Sequence, residues 1–235
     1  LTIGGGATYE AALAHLAEID PDIAALILRI GSRQVRASGT IGGNIANGSP
    51  IGDTPPLLIV LGATIKLQSA SQERTMPVEE FFIDYGKQDR EAGELLTSIE
   101  VPRLQQGEHV RCSKISKRFD QDISAVMGAF KITLDGDTVT AARIAYGGMA
   151  GTPRRAYRSE QLLQGVSVTD EAGWEPAIAA LEQEYAPMTD MRASASYRMI
   201  AAKNLLRKAL LEISGTPSNE TRVTALRPDD LEAAE

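Results

Sequence analysis

Apolar positions in the first thirty residues recur at helical spacing. "LTI" followed by "GGG" predicts a short strand entering a turn. Thr8 is placed to cap a helix whose apolar side carries Leu13, Leu16 and Ile19. Asp20-Pro21 restarts the pattern, with Asp20 as N-cap, Pro21 at the first helical position and Ile23, Leu26, Ile27 and Ile30 facing inward. Gly31 is the stop. Beyond residue 56, "LLIVL" reads equally as a buried strand or a short helix, because periodicity cannot arbitrate a short apolar run. Alternation predicts strands at "ATIKLQSA" and "ELLTSIEVP", with a single helical turn at "MPVEEFF" between them.

A second rhythm begins near residue 110. "VRCSKIS" alternates, and "SAVMGAFKITL" and "TVTAARIAYGG" are strands joined at Asp135-Gly136-Asp137, a strong hairpin signal. Helices are then predicted at about 154–163, about 174–185 and 194–213. The change of rhythm divides the chain into 1–102, a linker at 103–110, 111–217, and an acidic tail or linker at 218–235. In the second unit, Arg198, Lys203 and Arg207 suggest a basic docking face.

Between the two apolar segments of the first unit lies "TIGGNIANGSPIGD", residues 40 to 53, with four glycines, two asparagines and one proline. Glycine permits close backbone approach, and Asn44 and Asn47 add amide donors. Successive N–H groups in such turns can form an anion-binding concavity, and Asp53 can accept hydrogen bonds from ligand hydroxyls. Gly43 to Gly48 has the spacing of a phosphate loop, but Ser49-Pro50 stands where Lys and Ser or Thr are required. "GGGAT" at residues 4–8 matches the dinucleotide fingerprint only in part and reads as a tight strand-to-helix turn. Composition leaves a ligand loop and an ordinary loop both open.

The chain has 235 residues, 43% hydrophobic and 23% charged, with a net charge of −7. That acidity argues against a nucleic-acid partner. No apolar run is long enough for a membrane span, and the start lacks the pattern of a signal peptide, so a cytoplasmic protein is expected. The single cysteine, Cys112, excludes a disulfide framework or an iron–sulfur cluster held by this chain alone. His15 and His109 lie outside any metal-ligand spacing, so no metal site is expected.

"RASGTIGGNIANGSPIGDTPPLLIVLGATIKL" closely resembles the flavin-binding segment of the xanthine dehydrogenase and molybdenum hydroxylase family. The likeness continues through "SKISKRFDQDISAV", "IAYGGMAGTPRRA" and "SYRMIAAKNLLRKAL". It implies an α+β fold: the second lobe of a PCMH-type FAD-binding domain, then a domain like the C-terminal domain of carbon monoxide dehydrogenase flavoproteins. By the same resemblance, the first lobe, with the family's other pyrophosphate loop, is expected to be missing from this chain. By resemblance, Thr40, Gly42, Gly43 and Asn44 approach the pyrophosphate and ribityl region of FAD, and Asp53 hydrogen-bonds the cofactor. Ile30 and Leu96 fall beside the flavin ring system, Lys114 at the flavin site, and Lys117 to Asp122 in a loop over the ring. A cation there favours the reduced, anionic flavin. From the residues alone, Ile30 and Leu96 read as core, Lys114 as a solvated strand residue and "KRFDQD" as an exposed turn.

The resemblance further implies the FAD portion of a xanthine dehydrogenase small subunit. A molybdenum cofactor on a partner subunit oxidises hypoxanthine or xanthine. Electrons pass through 2Fe-2S clusters on the iron–sulfur domain of the same polypeptide, and FAD hands hydride to NAD+, in a heterotetramer. No residue of this chain acts on the purine, so no catalytic residue is expected here. A carbon monoxide or aldehyde hydroxylase and a non-catalytic interface module are the alternatives.

Overall fold

The computed structural model describes residues 1–224 and 227. The chain opens with β1 (Thr2–Gly4) and α1 (Tyr9–Ala17), capped by the Thr8 hydroxyl accepting from Ala11 N. Then come α2 (Pro21–Leu28), capped by Asp20, and a short α3 (Arg33–Ser38). Two more helices follow, α4 (Ile41–Asn47) and α5 (Thr54–Leu61). The open choice at "LLIVL" is thus a helix. Every residue of α5 is buried, as a helix apolar all round must be.

Strands β2 (Thr64–Gln68) and β3 (Glu73–Pro77), a 3-10 turn (Val78–Phe81), a ribbon of β4 (Phe82–Asp84) with β5 (Lys87–Gln88), and β6 (Leu95–Glu100) complete the first half. The first sheet has the order β1-β6-β2-β3 and is antiparallel throughout.

The second sheet is built from β7 (Glu108–Ile115), β8 (Val126–Asp135), β9 (Thr138–Gly147) and β10 (Arg154–Arg155), in the order β10-β9-β8-β7. Gly136, at φ +56°, supplies the positive dihedral that the β8–β9 turn requires. The helices α6 (Tyr157–Leu163), α7 (Glu171–Glu184) and α8 (Ala195–Ile213) follow, and α9 (Ser218–Thr221) closes the described chain.

The second sheet positions the site because helices cover both of its faces. On one face lie α2 and α5, so Val110, Cys112, Met127, Ala129 and Ala145 join the core of the first half. On the other, α8 packs against β7 and β8 around Phe130, Tyr146, Trp174 and Leu206. Phe130, Tyr146 and Tyr185 meet edge to face with centroids 5.5 Å apart. The buried Tyr146 hydroxyl donates to Ala202 O at 2.8 Å.

Several expectations are corrected. The glycine-rich stretch is not all loop: its first half is α4, with Thr40 as N-cap and Gly48 at φ +62° as C-cap. The two glycines in its first turn each cost about 1 kcal/mol of helix propensity. Burial of Ile41 and Ile45, one helical turn apart, offsets this at about 1.5–3 kcal/mol each. The helix predicted from Arg154 begins at Tyr157, because Arg154 and Arg155 pair with Tyr146 and Ala145 as an edge strand. β7 starts at Glu108, inside the stretch read as a linker.

The beginning of the expected tail is anchored. Arg222 reaches back to Asp22 at 2.7 Å and also pairs with Glu212, while Arg227 pairs with Asp20 at 3.0 Å. The rest of that acidic segment lies outside the described residues. The basic docking face dissolves too. Arg198 is buried against Ala125 O, Gly148 O and Asp190, and Lys203 and Arg207 pair with Glu182 and Glu175.

Candidate functional site

Four of the candidate residues converge on one pocket. Ile30 in the turn after α2, Asn44 on α4, Asp53 at the start of α5 and Lys114 on β7 line a cavity of about 300 Å³ with Tyr9, Asn47, Ser49, Ile51 and Gln121 to Ile123. Its centre is an ion pair. Lys114 Nζ donates to Asp53 Oδ2 at 2.6 Å, with both side chains buried. The other oxygen, Asp53 Oδ1, accepts from the Ser124 hydroxyl. Lys114 is therefore not the solvated strand residue that alternation suggested. β7 is an edge strand, yet α2 covers the face that Lys114 shares with Cys112.

Beside the pair, Thr54 orients two further groups. Its hydroxyl donates to Asn44 Oδ1 at 2.6 Å and lies 3.3 Å from the Tyr9 hydroxyl. With the amide oxygen so engaged, the amide nitrogen is the donor Asn44 has left to offer. Burial pushes the Tyr9 phenol up to about 12, a shift the Thr54 bond lowers and the Asp53 charge adds to, so Tyr9 is neutral at ordinary pH. Arg29 pins the loop that follows β7. It donates to Lys114 O at 2.7 Å, Phe119 O at 3.0 Å and Ser116 Oγ at 3.3 Å, and its guanidinium stacks 5.0 Å from the Phe119 ring centre.

The other four candidates form a second group around the first turn of α4. Thr40 Oγ1 accepts from Gly43 N at 3.0 Å. Gly42 lies against the backbone of Gly5, where a Cβ would come within 2.4 Å of Gly5 O. A Cβ on Gly5 would in turn meet Leu96 O at 2.0 Å. Glycine is required here so that three chain segments can stack, with Gly5 N donating to Thr97 O at 2.8 Å and Ile41 N to Ala7 O at 3.1 Å. The "GGGAT" turn thus belongs to the support of α4. Leu96 is partly buried against the core. Helix α4 connects the two groups, with Gly42 and Gly43 at one end and Asn44 and Asn47 in the pocket wall.

A larger cavity of about 430 Å³ lies between α2, β7 and α8. Its charged groups are already engaged: Asp22 with Arg222, Lys208 with Glu212, and Arg29 as above. The Cys112 thiol on its wall is pushed well above its ordinary value by burial and donates to Asp22 O at 3.3 Å. Among the described residues, no group of three or more His, Cys, Asp or Glu is placed to hold a metal ion. No helix among them is long and apolar enough to cross a membrane.

Residues 1–104 match the family of the FAD binding domain in molybdopterin dehydrogenase, and residues 111–213 match the CO dehydrogenase flavoprotein C-terminal domain. The solved CO dehydrogenase from Oligotropha carboxidovorans superposes with a TM-score of 0.83 at 32% identity, over 89% of this chain and 73% of that one. The chain belongs to the molybdopterin dehydrogenase flavoproteins. It is 36% identical over 185 residues to the glyceraldehyde dehydrogenase medium chain of Sulfolobus acidocaldarius, covering 79% of this chain and 65% of the relative. To the xanthine dehydrogenase of Emericella nidulans it is 33% identical over 155 residues, 65% of this chain but 11% of that protein. The chain thus spans about two thirds of the medium chain and a small part of the larger enzyme. The α+β fold and its two-part order are those the resemblance implied. The likeness to an aldehyde enzyme is as close as that to a purine enzyme, so the family stands and the substrate is not selected.

The chemistry of the donor set fits a flavin nucleotide. The pocket offers an oriented amide donor, a fixed ammonium and hydroxyls against the apolar walls of Ile30, Ile51 and Ile123. At about 300 Å³ it takes part of so large a cofactor, at the low end of ligand clefts. Sequence reasoning missed Tyr9, Thr54 and Ser124. Thr54 stands beside a recognised Asp, but no local pattern points to Tyr9 or Ser124, which arrive through the tertiary fold.

Proposed function

We propose that this chain holds the FAD of a molybdenum hydroxylase of the xanthine dehydrogenase type, with NAD+ as electron acceptor. In this reading the iron–sulfur domain lies on the same parent polypeptide. The molybdenum cofactor lies on a partner subunit of a heterotetramer, in the cytoplasm. One observation carries the flavin assignment: Ile30, Asn44, Asp53 and Lys114, distant in sequence, meet in one pocket with their polar groups already oriented.

Bound FAD supplies hydride and one-electron transfer chemistry. The chain's own residues hold and tune it. Asn44 offers its amide nitrogen to an acceptor. Lys114 keeps a cation in the wall, paired with Asp53 in the same wall, so the field the pair casts is that of a dipole rather than of a bare charge. Ile30, Ile51 and Ile123 offer apolar wall for the cofactor to cover, and displacing water from that wall strengthens each of these interactions. Thr40, Gly42, Gly43 and Leu96 set the entry of α4 and with it the placement of Asn44.

The purine reading draws support from the run of segments "QVRASGTIGGNIANGSPIGD" and "IAYGGMA". A second reading, an aldehyde or carbon monoxide enzyme, is supported by the glyceraldehyde and CO dehydrogenase relatives. The test is to purify the parent enzyme, quantify its FAD, and follow NAD+ reduction with xanthine, glyceraldehyde and carbon monoxide in turn. FAD at one per chain with xanthine-dependent NADH formation is the expected result. FAD with turnover of another substrate overturns the purine reading alone. A folded, colourless protein overturns the flavin assignment and favours the interface module.

A further inference from the structure

The loop over the pocket begins and ends on the same carboxylate. Lys114 is the last pocket residue of β7 before residues 115–123, and Ser124 is the first fully buried residue after them, at 1% exposure. Lys114 Nζ meets Asp53 Oδ2 and Ser124 Oγ donates to Asp53 Oδ1, so Asp53 clips the two stems of the loop together. Directly below, Ala125 N donates to Ile115 O at 2.8 Å and closes the base. Gln121, Asp122 and Ile123, which line the pocket, are carried on the segment so clipped. Within that segment, Asp122 is spent on the loop itself, accepting from Arg118 N and Ile123 N at 3.0 Å each.

A carboxylate held by a single ammonium is free to rotate about its terminal torsion, which is broad for Asp. A second donor on the other oxygen removes that freedom. Ser124 supplies it without adding charge, from the stem opposite Lys114. We propose that Ser124 is the positioning residue of the pocket: by fixing Asp53 it fixes the Lys114 ammonium at the wall and the loop above it. The proposal rests on the flavin reading for its consequence, and on the described geometry alone for the positioning itself. Ser124 is not part of the pocket lining; it acts through Asp53.

The experiment uses the intact protein with FAD removed and again with FAD bound. In the FAD-free protein, lysine acylation followed by mass spectrometry reads the accessibility of Lys114, with Lys66 and Lys131 as internal references. Losing one hydrogen bond to a charged group corresponds to roughly a tenfold change in the open population. The expected result for Ser124→Ala is thus about tenfold faster labelling of Lys114, with the reference lysines unchanged. Ser124→Thr, which keeps the hydroxyl, should restore protection. If the threonine variant does not fold, Ser124→Ala placed in an Asp53→Asn background serves instead and should give little increase beyond Asp53→Asn alone, because Ser124 acts through Asp53. Unchanged labelling in Ser124→Ala overturns the proposal, as does an equal rise at all three lysines, which reports general loosening. With FAD bound, the flavin midpoint potential should shift in Ser124→Ala and return in Ser124→Thr. Faster Lys114 labelling with an unmoved potential keeps Ser124 as the positioning residue and overturns the flavin role of the pocket.

Discussion

Removing one member of the Asp53–Lys114 pair should cost more than removing both. At 2.6 Å the attraction is about 6 kcal/mol at an effective dielectric of about 20, before desolvation is subtracted. The two side chains are 3% and 8% exposed, so water offers neither charge a substitute partner. Asp53→Asn leaves the Lys114 ammonium uncompensated, and Lys114→Met does the same to the carboxylate. Each break is expected to cost about 3–5 kcal/mol, the range for a buried pair that loses one partner.

For a chain of 235 residues this lowers Tm by about 6–20 °C, at roughly 2–4 °C per kcal/mol. The double variant removes both charges and leaves Ser124 able to donate to the new amide oxygen. It should be more stable than either single variant, with a coupling energy of about 3 kcal/mol or more. Urea unfolding of the wild type and the three variants, followed by circular dichroism, closes the cycle. Additivity to within about 0.5 kcal/mol would mean that the two charges do not depend on each other, and would refute the account of the pocket's centre.

Three further outcomes follow from the same geometry. Gly42→Ala drives a methyl into the Gly5 backbone and should lose about 1–3 kcal/mol in urea unfolding; a neutral result would deny the stacking of Gly42, Gly5 and Leu96. Burial would raise Glu212, but bonds from Arg222 and Thr221 and the Lys208 charge hold it at about 2 against an ordinary 4.5. Its contribution is therefore complete above about pH 4.5 and lost as pH falls toward 2, so Arg222→Ala should move the acid-unfolding midpoint upward, and an unmoved midpoint would contradict the clasp. Cys112 should resist a thiol reagent in the native protein and react fully once unfolded, because burial both hides the sulfur and disfavours its thiolate; rapid native labelling would contradict this.

Much of the fold was legible because burial imposes a period. Asp20-Pro21, the β8–β9 hairpin and α8 with its Ser194 cap all lie close to where cap and alternation rules place them. The misreadings have specific causes. Helix α4 was hidden by its glycines, although Thr40 before Ile41, Ile45 four residues on and Gly48 as a stop are a helix signature in miniature. Arg154-Arg155 continued a helical pattern but was captured by the free edge of β9. Lys114 read as solvated because alternation cannot reveal that another element covers the face on which a residue falls. Of the site, the residues reached by resemblance divide into two groups, the pocket and the α4 entry. Nothing in the local sequence joins Tyr9 or Ser124 to them.

The central claim is that the pocket of Asn44, Asp53 and Lys114 binds FAD. It is tested most directly by titrating the FAD-free parent protein with FAD, wild type against Asn44→Leu, and following quenching of flavin fluorescence. Asn44→Leu removes the one oriented amide donor while Asp53 and Lys114 remain paired. The account predicts saturable binding at one FAD per chain in the wild type and an affinity weakened by about 5- to 30-fold, the worth of one or two lost hydrogen bonds. Equal affinity for both proteins, or no saturable binding by the folded wild type, would contradict it.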